Sequence, residues 1–293
     1  MKILVLKGGP DRERGVSLKS GAAVAAALRE AGHEVVEADI TPDDLSALDE
    51  SCDVVFPVLH GNWGEGGPLQ RLLEERGLRY VGCGPEAAAR AMDKGEAKRA
   101  AAAAGVPTPA YEQLEVGKSM TLAPPLVLKP TAEGSSFGVA ICQTAEEVER
   151  TRTEMQKQFP VVLAEQFVKG RELTIGIVDQ QLLPAIEIVP AEGFYDYRAK
   201  YEANDTGYRF DVDLLAAVLE RMGRDALAVF NEIGCRHLGR VDFIVDDAGG
   251  HWFLEINTLP GFTDHSLLPL AAKQAGMAMP ELCDRLIRLA LQG

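Results

Sequence analysis

Four residues in one short stretch have the chemistry of a metal or phosphate site: Arg240, Asp242, Glu255 and Asn257. They lie in LGRVDFIVDDAGGHWFLEINTLPGFTDHSL, residues 238–267. Two carboxylates and an amide placed side by side repel one another unless a cation sits between them. Their hard oxygens suit Mg²⁺ better than zinc. The same four residues also fit the solvated polar face of an edge hairpin, because strands often alternate polar and apolar. From the stretch alone both readings stand.

The element that would bring them together is a hairpin. Asp246-Asp247-Ala248-Gly249-Gly250 is a turn signal between two runs rich in Val, Ile and Phe. With the turn centred between Ala248 and Gly249, Asp242 faces Glu255 and Arg240 faces Asn257. Val241, Phe243 and Val245 then pair with Ile256, Leu254 and Trp252 on the opposite, apolar face. A slip of one residue would scatter this division.

Other stretches carry weaker signals. Lys129 ends a strand and leads into PTAEGSSFG, a small flexible loop containing Ser135 whose backbone N–H groups could wrap phosphate oxygens. It is neither G-x-x-x-x-G-K-[ST] nor G-x-G-x-x-G, and a plain surface turn fits it as well. Lys94 and Lys200 read by default as solvated lysines, and Glu165 and Glu172 as solvated glutamates. His60 follows a strand and precedes Gly61, where a structural role is the ordinary expectation. Glu13 and Ser17 fall between the Gly8-Gly9 loop and a helix, with Ser17 reading as its N-cap. Tyr201 reads as a tether in a polar aromatic loop.

Strand, glycine loop, helix and strand alternate from Ile3 to about residue 85, which predicts an open parallel sheet with flanking helices and ligands at its strand ends. An Ala-rich helix is expected over 86–105, carrying Lys94 and Lys98. Strands at 126–129, 161–165 and 172–177 and a helix at 145–158 suggest a small α+β lobe. A strand at 182–189, a helix at 212–234, the hairpin and a helix from Pro280 complete the chain. The expected division is 1–89, 90–168 and 169–293.

The net charge of −14 over 293 residues argues against nucleic acid and anionic membranes. It leaves room for a phosphate ligand in a local cationic site. The five cysteines are widely spaced with no C-x-x-C, which reads as reduced thiols in a cytoplasmic protein. No secretory signal is expected at the N-terminus, and no run approaches a membrane span.

Taken jointly and in order, LKGGPDRERGVSLKSG, LHGNWGEGGPLQ, MDK, LKPTAEGSSFGV, FYDYRAKY, GRVDF and LEINTLPGFTDHSLLPLAAKQAGM resemble the D-alanine–D-alanine ligase family of the ATP-grasp superfamily. They cover nearly the whole chain. The resemblance implies an α/β protein of three lobes, with an N-terminal open parallel sheet and ATP clamped between the second and third lobes. It implies Lys94, Lys129 and Lys200 at the ATP phosphates, and Glu165, Val168 and Glu172 around adenine and ribose. Asp242, Glu255 and Asn257 match ligands of two Mg²⁺ ions, for which Mn²⁺ could substitute. Glu13 matches the residue that holds the ammonium of the first D-alanine, with Ser135 and Tyr201 as its hydrogen-bonded partners and His60 nearby. Ser266 and Leu267 match the pocket for the second D-alanine's carboxylate. Arg240 and the backbone N–H of Gly261 match the groups that stabilise the tetrahedral intermediate.

The implied reaction is phosphorylation of one D-alanine by ATP, attack by the amine of the second, and loss of phosphate, serving peptidoglycan precursor synthesis. The loop at 194–208, with Lys200 and Tyr201, is expected to close over the acyl phosphate. A homodimer is also implied. Two departures stand out: Gly15 replaces an acidic residue, and Gln166 replaces a common Lys. Rival readings are a ligase using D-serine or D-lactate as second substrate, a non-catalytic nucleotide-binding regulator, and an oxidoreductase. The last fails on the missing G-x-G-x-x-G. Tyr201 after Lys200, where the D-lactate-using form has Phe, favours D-alanine.

Overall fold

The computed structural model describes residues 1–134, 137–189 and 207–292. β1 (Lys2–Gly8), β2 (Glu34–Ile40) and β3 (Val54–Pro57) form a parallel sheet in the order β2-β1-β3, with α1 (Arg14–Glu30) as the first crossover. α2 (Gly61–Glu65) and α3 (Pro68–Glu75) follow β3. Ile3 and Val5 of β1 pack into one core with Val24 and Leu28 of α1, while Leu4 and Leu6 pack into another with Leu69 and Leu73 of α3. Both faces are covered, which is why β1 reads as an unbroken apolar run.

Ser17 is not the cap of α1. The helix begins three residues earlier, and Ser17 lies fully buried within it. Its Oγ accepts a hydrogen bond from Gly8 N at 2.8 Å and donates one to Val58 O at 2.7 Å. The serine therefore ties together the ends of β1 and β3, where Gly8-Gly9 and His60 sit. A Ser before a helical run signals a cap only if its hydroxyl stays local.

The expected single helix over 86–105 is two, α4 (Pro85–Met92) and α5 (Lys94–Ala103). Asp93 separates them. Its backbone is extended, and its carboxylate accepts from Glu96 N at 2.8 Å, capping α5. Beyond α5, β4 (Tyr111–Glu115), β5 (Leu126–Pro130), β6 (Ala140–Cys142) and β7 (Val161–Gln166) form an antiparallel sheet in the order β4-β7-β5-β6. α6 (Ala145–Met155) covers it through Val148.

The largest sheet has the order β11-β10-β8-β12-β13, with β9 attached to β8. Its strands are β8 (Arg171–Val178), β9 (Gln181–Leu182), β10 (Ile186–Val189), β11 (Gly207–Arg209), β12 (Leu238–Val245) and β13 (His251–Asn257). The strand expected at 182–189 is thus two short ones. α7 (Ala216–Ile233) starts four residues later than expected and ends at Gly234, whose φ of 87° suits glycine. Met222, Val229 and Phe230 of α7 pack on Leu173, Ile175, Val241 and Phe243 of the sheet. α8 (Leu267–Gln274) and α9 (Met279–Gln292) return to the N-terminal sheet, and Leu282, Leu286 and Ile287 share the core of Val24 and Leu28. Among the described residues, no helix is long and apolar enough to cross a membrane.

The hairpin register agrees with the reading over half its length. Arg240 faces Asn257, Val241 faces Ile256 and Asp242 faces Glu255. A β-bulge then shifts the pairing, so that Phe243 faces Phe253 and Val245 faces His251. Leu254 and Trp252, expected on the buried face, are only partly buried, whereas Phe253 is fully buried. The extra residue in β13 flips the alternation on the turn side and leaves the polar end untouched.

Candidate active site

β12 is buried on both faces. Val241, Phe243 and Val245 point to α7, so Asp242 points to the opposite face and is itself only 3% exposed. Arg240 Nε donates to its Oδ1 at 2.9 Å and Arg240 Nη2 to its Oδ2 at 2.8 Å. Asn257 Nδ2 donates to Oδ2 at 3.1 Å. A fourth donor comes from β8: Thr174, the cross-strand partner of Asp242, donates its hydroxyl to Oδ1 at 2.5 Å. Thr174 carried no signal in the sequence, because it reaches Asp242 only through the pairing of strands 68 residues apart.

Glu255 completes this face. Lys94 Nζ lies 3.3 Å from Glu255 Oε2 and also donates to Glu133 O at 2.6 Å. The lysine is the first residue of α5, and its backbone N–H donates to Thr131 O at 2.8 Å. So α5 is held against the loop that follows Lys129. Among the described residues, no group of three or more His, Cys, Asp or Glu is placed to hold a metal. The donor set here is two carboxylates and an amide oxygen. It fits a hard cation whose remaining ligands are phosphate or water oxygens.

Next to this face lies a cationic centre. Lys129 Nζ is 3.1 Å and Lys98 Nζ 2.5 Å from the same oxygen of Glu165, which is 2% exposed. Burial alone would raise the Glu165 carboxyl; Lys129 and Lys98 outweigh it and hold it below its ordinary range. Glu165 is thus engaged with the lysines. Lys98 was read only as part of a helix. Its spacing of four from Lys94, which puts both on one helix face, was the signal for it.

The third group surrounds α1 and α2. Glu13 sits at the N-cap position of α1, and Gly134 packs so closely that a Cβ there would lie 2.9 Å from Glu13 Oε2. Arg12 stacks over Phe137 at 4.0 Å, which anchors the other side of the same loop. His60 occupies the N-cap position of α2 and is 7% exposed. Burial, with Arg240 adding to it, lowers its pKa, while Glu13 and a hydrogen bond to the Leu259 backbone oppose the shift. Its Nε2 is buried without a hydrogen-bond partner among the described residues. Glu65 was not singled out, although it lies in the GNWGEGG stretch. Burial raises its carboxyl well above the ordinary value, and Glu13 and Asp11 add to the rise. Asp11 is raised too, by burial and then by Glu13. Arg240 is close enough to act electrostatically on both His60 and Glu65, so this acidic group lies near the polar face of the hairpin.

Ser266 takes the N-cap position of α8, and Leu267, 6% exposed, is its first residue. The helix start expected there is present. Ser266 Oγ accepts from Thr263 N at 3.0 Å, and a Cβ on Gly261 would lie 2.9 Å from it. Gly261 and Ser266 therefore form one tight turn beyond β13. Val168 lies half-buried in the connection from β7 to β8, and Glu172 is half-buried in β8. Ser135, Lys200 and Tyr201 lie outside the described residues. As for the departures, a Cβ on Gly15 would meet nothing within 4 Å. Gln166 is occupied structurally, its Nε2 donating to Pro125 O at 2.9 Å.

Comparison with known proteins bears on the family and the fold. The family model "D-ala D-ala ligase C-terminus" matches residues 103–288, and "D-ala D-ala ligase N-terminus" matches residues 38–83. The D-alanine–D-alanine ligase B of Chromobacterium violaceum is 43% identical over 292 residues, covering 98% of this chain and 96% of that one. The D-alanine–D-alanine ligase of Methylacidiphilum infernorum is 38% identical over 288 residues, covering 98% and 95%. A crystal structure of the D-alanine–D-alanine ligase from Bacillus anthracis superposes with a TM-score of 0.88 at 32% identity, covering 100% of this chain and 98% of that one. The same enzyme complexed with ATP gives 0.86 at 30% identity, with the same coverage. The three-sheet architecture is accordingly that of an ATP-grasp ligase, and the chain belongs to the D-alanine–D-alanine ligase family.

Proposed function

We propose that the chain is an ADP-forming ligase that joins two D-alanines for cell-wall synthesis. A carboxylate is a poor acyl donor because its leaving group would be an oxide. ATP phosphorylates the carboxylate of the first D-alanine and leaves as ADP. The amine of the second attacks the acyl phosphate, loses a proton and displaces phosphate. The observation that carries the reading is the nearness of the Arg240–Asp242 face to the Glu13–His60 group, in a chain of this family.

In this reading the enzyme positions reactants and offsets charge, with no covalent nucleophile. Lys94 and Lys129 take the ATP phosphates, together with Lys200. Val168 and Glu172 border the adenine and ribose, and Glu165 acts there through the lysines it holds. Asp242, Glu255 and Asn257 hold Mg²⁺. When bound, Mg²⁺ shields the phosphate charge and polarises the transferred phosphoryl group. Glu13 takes the first ammonium. The raised carboxyls of Asp11 and Glu65 support this, since crowded carboxylates gain from a cation. His60, whose Nε2 has no hydrogen-bond partner among the described residues, lies against the same substrate. The Ser266 hydroxyl and the N–H of Leu267, where α8 starts, receive the second carboxylate. Arg240 and the Gly261 N–H face the tetrahedral oxyanion. The resemblance to the family assigns Ser135 and Tyr201, which lie outside the described residues, to the closing of the site.

The proposed lobes are 1–89, 90–168 and 169–293. We also propose a homodimer, to be tested by light scattering, and a cytoplasmic location, which the five free cysteines support. The decisive assay is phosphate release with ATP, Mg²⁺ and single D-amino acids, followed by identification of the product. D-Alanyl-D-alanine from D-alanine alone is expected. A mixed product formed only with D-serine or D-lactate would overturn the substrate assignment. D-Serine belongs in the panel because a D-Ala:D-Ser ligase, VanG of Enterococcus faecalis, shares the fold at a TM-score of 0.85 and 26% identity.

A further inference from the structure

Lys98 is fully buried, and an ammonium group is costly to bury unless its donors are all used. Here three acceptors from three elements surround Nζ: Glu165 Oε2 of β7 at 2.5 Å, Thr108 Oγ1 of the connection before β4 at 2.7 Å, and Phe253 O of β13 at 3.4 Å. Phe253 is the residue at which the hairpin register resumes after the bulge. Thr108 Oγ1 also donates to Phe253 O at 3.0 Å, so Lys98, Thr108 and Phe253 form a closed ring of hydrogen bonds. The Tyr111 ring centroid lies 5.7 Å from Nζ.

The consequence concerns Lys129. Its ammonium shares Glu165 Oε2 with Lys98. Two ammoniums around one carboxylate leave one net positive charge facing the site. Without Lys98, Glu165 would pair with Lys129 alone, and that pair would be neutral. We infer that Lys98 is a positioning residue for the nucleotide end of the site: it holds Glu165 and thereby keeps the Lys129 ammonium available to an anionic phosphate. The inference rests on the ligase reading for the identity of the anion as ATP. It extends that reading to a residue that touches no substrate.

The test compares four full-length proteins: wild type, K98M, E165Q and the double variant K98M/E165Q. The net charge of the triad is the same in wild type and double variant and lower by one in K98M. The KM for ATP is expected to rise roughly 10- to 100-fold in K98M, the usual range for losing a hydrogen bond to a charged group. The KM for D-alanine should stay within about twofold, because the lost charge acts on one substrate only. In the E165Q background, adding K98M should change the KM for ATP by less than about threefold, since Lys98 acts through the Glu165 carboxylate. A rise on adding K98M to E165Q as large as the rise from wild type to K98M, or a KM for D-alanine that rises in parallel, would overturn the inference and leave Lys98 a purely structural residue. If K98M does not fold, E165Q and the double variant decide: KM values for ATP within about threefold of each other support the proposal and a difference of about tenfold overturns it. Calorimetric titration with ATP gives the same order of affinities without turnover. A wild type that binds ATP yet makes no dipeptide therefore fails the ligase reading and still tests Lys98.

Discussion

Arg240 and Asp242, two residues apart on β12, are joined by a pair of hydrogen bonds of 2.9 and 2.8 Å. The bidentate geometry fixes both side chains on one face of the strand. It gives the carboxylate a cationic partner before any ligand arrives. Asp242→Asn keeps the shape and one acceptor but loses the charge. Turnover is expected to fall by roughly 10²- to 10³-fold, the scale for losing one electrostatic stabiliser. Circular dichroism melting should still show a cooperative transition. Near-normal Mg²⁺-dependent phosphate release would refute the ligand assignment.

The bulge in β13 makes a separate prediction. Phe253 is fully buried beside Phe243, with ring centroids 6.2 Å apart, whereas Leu254 is partly exposed. Phe253→Ala should cost about 3–5 kcal/mol of stability through the cavity it leaves. Leu254→Ala should cost less than about 2 kcal/mol, as for a side chain still touching water. Urea denaturation of the two variants measures both. The reverse order would mean that the pairing continues without a bulge.

Ser17 offers a third. Replacing it with Ala leaves the buried Gly8 N–H and Val58 carbonyl without their partner. The expected loss is about 1–3 kcal/mol. Because the two groups end the strands that lead to Gly9 and His60, the KM for the first D-alanine should also rise. Unchanged stability in the denaturation curve would show that water replaces the hydroxyl at no cost.

His237 gives a pH dependence. Burial pulls its imidazole down to about 4, with Arg236 adding to the fall and Asp179 opposing it. Its Nδ1 accepts from Gly82 N at 3.1 Å, which requires the unprotonated ring nitrogen. In the unfolded chain the imidazole titrates near 6.5. Between pH 6.5 and 4 the unfolded state therefore takes up a proton that the folded state refuses. This contribution to stability is full above about 6.5, declines as pH falls to 4, and is flat below that. The position has φ 65°, which Asn tolerates. Thermal melts of wild type and His237→Asn should converge as pH falls across this window. A constant gap would rule the histidine out as the titrating group.

Tyr201→Ala is expected to uncouple the reaction, on the strength of the FYDYRAKY stretch. Water would then compete with the second amine for the acyl phosphate. The ratio of ADP to dipeptide, measured on one sample, should rise above that of wild type. Equal ratios would remove Tyr201 from the closing of the site.

Local pattern carried a good deal of this protein. The turn at 246–250 and a period of two were enough to put Arg240, Asp242, Glu255 and Asn257 on one face, because a hairpin's register near its polar end depends on residues within the hairpin. The helix start at Ser266 was legible for the same local reason. The break at Asp93 was legible in principle, since Asp-x-x-Glu is a capping pattern, but the Ala-rich run around it masked the cap. Tertiary structure alone decided what surrounds the polar face. Thr174 meets Asp242 across strands 68 residues apart, Lys98 reaches Phe253 over 155 residues, and Lys129 and Lys98 share Glu165 from different elements. Such contacts depend on which buried charges must find partners once the elements pack, and no periodicity along one segment encodes the partner's position in another.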